Sequence, residues 1–145
     1  MNVNTEYRGK FKIIGINILL FALLFGLVTL NKEYFRPYLS NSTLAKIISG
    51  SFPNFMAAYI ISLCVVNPVI TTKPRFGRTM VYTSSFIISA ILTIEEFTSI
   101  VGASEHFDIY DIIASVLGSI LAILTYESIN YRQRNKLNKI DTECK

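Results

Sequence analysis

Residues 13–30 read IIGINILLFALLFGLVTL, an unbroken stretch with no charged side chain. As an α-helix rising about 1.5 Å per residue, these eighteen residues reach about 27 Å, close to the hydrocarbon thickness of a bilayer. A secretory signal has a shorter apolar region followed by a small-x-small cleavage site. Neither feature occurs here, so the stretch is expected to be a retained membrane helix.

Working outward, the same pattern recurs three times. Apolar runs lie at about 53–70, 79–101 and 109–129, separated by short clusters of charge. Hydrophobic residues make up 51% of the 145-residue chain and the mean hydropathy is +0.43. The reading is an all-α polytopic membrane protein: a four-transmembrane-helix bundle forming one domain over residues 1–145. Pro53 suits the first turn of the second span, with Ser51 as its candidate cap. Pro68 is placed to kink or end that span. Between Asn31 and Phe52, Ser42-Thr43 followed by Leu44, Ile47 and Ile48 suggests a short interfacial helix. Tyr34, Phe35 and Tyr38 suit an interfacial aromatic belt.

The net charge of +4 speaks to orientation and not to nucleic acid. Arg8, Lys10 and Lys12 precede the first span, and Lys73, Arg75 and Arg78 join the second to the third. Arg132, Arg134, Lys136, Lys139 and Lys145 follow the fourth. These are eleven of the 14 Lys and Arg, and the third connection has none. The positive-inside rule then puts both termini in the cytoplasm of a multi-pass protein in the plasma (inner) membrane.

The acids are distributed differently. Of ten, Glu95, Glu96, Glu105, Asp108 and Asp111 fall in one window at the expected outer ends of spans three and four. Carboxylates beside a bilayer mark function or pairing. No Lys or Arg lies in this window, which leaves hydroxyls, protons, cations, a ligand, or Lys and Arg of the first outer loop as partners. Tyr82, Ser85, Ser89, Thr93, Glu96 and Ser99 share one helical face. Asp108, Asp111, Ser115, Gly118 and Ala122 share another, and the two are expected to pack together. Asp108 also suits the N-cap of span four, with Asp111 at its third position. His106 beside Glu105 and Asp108 makes a weak metal site, and no metal or cofactor is assigned. Cys64 and Cys144 read as a small buried hydrophobe and a tail thiol. No nucleophile–histidine arrangement or nucleotide-binding loop occurs, so no catalytic residue is assigned.

Glu96, Phe107-Asp108, Asp111 and Gly118 together resemble the signature of the VanZ-like membrane protein family. That pattern has a glutamate, then a glutamine and an arginine, then Phe-Asp-x-x-Asp, an asparagine and a glycine. Ser99, Glu105 and Ser115 stand where the glutamine, arginine and asparagine would be. Asn54-Phe55 lies where many members have a His-Phe pair. The resemblance covers residues 50–127. It implies a bacterial envelope protein whose outer-face seam binds or shields an envelope component, such as a lipid-linked precursor, with a link to resistance to the glycopeptide teicoplanin. Besides membrane lipids, a membrane protein partner is the alternative, with the chain as a small structural or regulatory subunit of a larger complex. A reporter fused after residue 104 is expected to be active only outside the cytoplasm, and a cytoplasmic reporter there would overturn the orientation.

Overall fold

The structure, a computed structural model, describes residues 3–38, 42–98 and 108–143. Four long helices carry the chain. Helix α1 is Val3–Leu30, α2 is Thr43–Thr72, α3 is Gly77–Thr98 and α4 is Ile109–Glu143. Helices α1, α2 and α4 each contain one expected span, α3 covers residues 79–98 of the third, whose residues 99–101 lie outside the described ones, and each helix is long and apolar enough to cross a membrane. The protein is an all-α, multi-pass membrane protein. Its helices run alternately up and down, so the start of α1, the Lys73–Phe76 connection and the end of α4 lie at one end of the bundle. The end of α1, the start of α2 and Asp108 lie at the other, here termed the distal end.

Helix α2 is the hub. It packs against α4, α1 and α3; α3 packs against α4, while α1 contacts α2 alone among these helices. The interior is built of small and hydroxylated residues. Ala58, Ser62, Ser85, Ala114, Ser115 and Ala122 are buried, whereas Phe11, Phe25 and Phe86 are more than 70% exposed on the periphery. This is the distribution expected when lipid is as apolar as leucine and helices associate through close contact. Larger side chains gather near the proximal end, where Val66, Val69, Val81 and Tyr126 form a buried cluster with Leu63, Ile70 and Ile123.

The connection between α1 and α2 differs from expectation. Helix α1 does not stop at Leu30: it passes through a π turn, Asn31–Phe35, into a further turn, Arg36–Tyr38. The interfacial helix expected at Ser42–Ile48 is the opening of α2 itself. Pro53 therefore lies in the interior of α2, and Ser51 is a buried mid-helix residue, not a cap. Pro68 does not end the helix either, which closes at Thr72 with Lys73 in the left-handed region (φ 48°).

The reason is visible in the hydrogen bonds. A proline inside a helix supplies no N–H to the carbonyl four residues earlier. For Pro53 that carbonyl belongs to Ser49, and Asn31 Nδ2 donates to it at 2.7 Å. For Pro68 it belongs to Cys64, and Asn17 Nδ2 donates to it at 3.2 Å. Both freed carbonyls are thus satisfied by asparagines of α1 and its π turn, and each asparagine is itself engaged. Ser49 Oγ donates to Asn31 Oδ1 at 3.0 Å, and Asn67 Nδ2 donates to Asn17 Oδ1 at 2.8 Å. A buried carbonyl left without such a partner is costly. The hydroxyls of Thr71 and Thr72 then donate to the carbonyls of Asn67 and Pro68 in the last turn of α2.

Replacing Asn31 with Leu is expected to cost about 1–2 kcal/mol by stranding the Ser49 carbonyl. In a Pro53→Ala background, the introduced alanine supplies the missing N–H, so the same replacement should cost much less. Unfolding in bicelles by steric trapping would measure this cycle. Equal costs in both backgrounds would contradict the pairing.

Candidate functional site

At the distal end, α4 begins with an N-cap whose parts come from two helices. Asp108 Oδ1 accepts the Tyr110 N–H at 2.9 Å, and the Asp108 carbonyl accepts the Asp111 N–H at 3.1 Å. In an ordinary capping box, the acid at the third helical position reaches back to the cap residue's own N–H. Here that position is Asp111, one methylene shorter than Glu. Glu96 of α3 takes the role instead, its Oε1 accepting the Asp108 N–H at 3.3 Å. The Asp111 carboxylate is left free for other work. Its Oδ1 is buried and has no hydrogen-bond partner among the described residues.

Asp111 faces a cavity of about 330 Å³ that it shares with Arg36, Asn54, Glu95 and Glu96, over a floor formed by Gly50 and Pro53. These residues come from the extension of α1 and from all three other helices. The cation arrives from the first connection, since the π turn at Asn31 carries Arg36 over the α2 backbone. Arg36 Nη2 donates to the Gly50 carbonyl at 3.4 Å and makes no ion pair among the described residues. Arg36 and the three acids therefore share one cavity without being locked to each other. A mixed-charge pocket of this kind suits a polar ligand with both donors and acceptors. No group of acids, His or Cys suited to a metal ion exists among the described residues.

The expected seam divides into two. Glu96, Asp108 and Asp111 meet at the distal end, with Glu95 and Asn54 beside them. Ser115 lies one turn deeper, buried, with its hydroxyl donating to the Asp111 carbonyl of its own helix at 3.0 Å. Gly118 faces α2 and not α3: a Cβ there would run into the Phe55 carbonyl and approach Ala58 Cβ and Tyr59 N at 3.0 Å. Gly118 is a close-approach position between helices, and the small-residue face of α4 serves the hub helix. Of the seam hydroxyls, Thr93 and Ser115 bond within their own helices, Tyr82 donates across to Glu127 Oε1 of α4 at 3.2 Å, and Ser85 Oγ has no partner among the described residues. Ser99, Glu105 and His106 lie outside the described residues.

Sequence reasoning left the cation of the cavity unspecified within the first outer loop, and it did not find the asparagine–proline pairs. A proline in an apolar run, matched by an asparagine in the neighbouring run, was the available signal. No family model matches the chain, and neither curated proteins nor solved structures give a match.

Gly118→Ala is expected to destabilise the bundle by about 1–3 kcal/mol through overpacking against α2. Thermal unfolding in detergent would register the loss, and an unchanged midpoint would show that the helices are not in such close contact.

Proposed function

We propose that this chain is a VanZ-like protein of the bacterial plasma membrane that binds or shields an envelope component at its distal end. One observation carries the reading: the Asp111 carboxylate, released from capping by Glu96, lies in an open mixed-charge cavity with Arg36, Asn54 and Glu95. With the termini in the cytoplasm, as the distribution of Lys and Arg requires, this cavity opens to the outer side. The role is one of binding, such as to the polar part of a lipid-linked envelope precursor. Arg36 supplies the positive charge that the family pattern carries elsewhere, which offsets the departure at Glu105. Teicoplanin resistance enters the proposal through the resemblance.

A second reading, a small structural or regulatory subunit, is favoured by α1. Only 6% of its apolar window is buried, and Ile14, Ile18, Leu19 and Phe25 are exposed. That face meets either lipid or another membrane protein. Purification from native membranes in mild detergent separates the two: a stoichiometric partner favours the subunit, and a lone chain favours the binding protein.

The binding role is tested by expression in a susceptible bacterium. The native chain is expected to raise the inhibitory teicoplanin concentration several-fold. Asp111→Asn should remove the effect at an unchanged membrane level of protein. Full protection by that variant, or none by the native chain, would sink the resistance reading.

A further inference from the structure

The distal cavity is one of three adjoining spaces, each of different chemistry. Beside it lies a second space of about 400 Å³, bordered by Arg36, Lys46, Ser49, Gly50 and Asp108. Arg36 and Gly50 border both spaces, so the two adjoin at the α1 extension. Arg36 and Lys46 are exposed and make no ion pair among the described residues. Asp108, the one acid here among the described residues, accepts the Tyr110 N–H on its Oδ1. Ile47 borders this second space and also a third, an apolar groove of about 390 Å³ between α2 and α4. Phe52, Phe55, Tyr110, Ile113 and Leu117 line that groove.

The order along the protein is therefore apolar, then cationic, then carboxylate-rich. A free membrane acyl chain fills an apolar groove at any lipid-facing position, so the groove alone selects nothing. The two cations and the carboxylates beyond them do select. A phosphodiester suits Arg36 and Lys46. The acids beyond it, Glu95, Glu96 and Asp111, repel a second negative charge and accept hydrogen bonds from an ammonium. An anionic headgroup such as glycerol phosphate satisfies only the first pair. A quaternary ammonium satisfies charge but has no N–H to donate.

We propose that the distal end binds an aminophospholipid, with its acyl chain in the Phe52–Leu117 groove, its phosphate on Arg36 and Lys46, and its primary amine among Glu95, Glu96 and Asp111. The proposal rests on the binding role of the Asp111 cavity and names the class of ligand. It is read by a signal independent of antibiotic susceptibility, so either can fail alone.

The chain contains no tryptophan, so Phe52→Trp places a single, selectively excited tryptophan in the groove. Phe25→Trp, on the exposed face of α1, reports bulk lipid, and Tyr110→Trp is a second groove reporter should Phe52→Trp fail to fold. Each is reconstituted in bilayers with brominated-chain phosphatidylethanolamine, phosphatidylcholine or phosphatidylglycerol. The groove reporter should be quenched by phosphatidylethanolamine at about tenfold lower mole fraction than by phosphatidylglycerol. Phosphatidylcholine should fall between, and the α1 reporter should not discriminate. Glu95→Gln with Glu96→Gln should bring phosphatidylethanolamine and phosphatidylcholine together, and Arg36→Gln with Lys46→Gln should weaken both. Equal quenching by all three lipids at the groove overturns the proposal. So does preference for phosphatidylglycerol, or a phosphatidylethanolamine preference that survives loss of both glutamates.

Discussion

The fold depends on a polar exchange between two helices in an environment that forbids loose ends. Pro53 and Pro68 each release a carbonyl of α2, and Asn31 of the π turn and Asn17 of α1 take them. The pairs are separated by fourteen residues on α1 and fifteen on α2, so two antiparallel helices of equal rise meet both at once. A sliding or rotation of α1 would leave both carbonyls without a partner. Since α1 packs on no other long helix, these bonds are what fix its register.

That register places the site. Asn31 opens the π turn, which keeps the chain helical beyond the first span and delivers Arg36 to the Gly50 carbonyl. On the other side of the cavity, close approach at Gly118 seats α4 against α2, and Glu96 completes the cap of α4 from α3. The consequence is an arrangement in which structural polar groups are used up and functional ones are not. The Asp108 carboxylate and its backbone N–H are committed to the cap, while Arg36 and Asp111 face a shared space without an ion pair among the described residues. An unpaired carboxylate of this sort is costly beside a membrane, and it persists where a ligand or water completes it.

Much of this could be read in the sequence, and the limits were physical. The four apolar runs predicted the four helices because span length is set by bilayer thickness. The Asp-x-x-Asp of Asp108 and Asp111 predicted a cap because capping is local. The grouping of Glu96 with those aspartates followed from helical periodicity and a short connection. The extent of α2 was not legible, because Pro53 and Pro68 read as boundaries until their partners on another helix are known. The partner of Gly118 was not legible either, since a small face does not say which neighbour it meets. Arg36 was visible only as one of several cations in a connection whose folding depends on Asn31.

The proposed binding role requires that the cavity at Asp111 open to the outer face of the membrane. It is tested most directly by cysteine labelling in intact cells, in a chain lacking Cys64 and Cys144. With Asp111→Cys, a membrane-impermeant thiosulfonate should label the protein from outside, whereas Ala122→Cys, in the fully buried interior, should stay unlabelled. Labelling of position 111 only after permeabilisation, or not at all, would contradict the account.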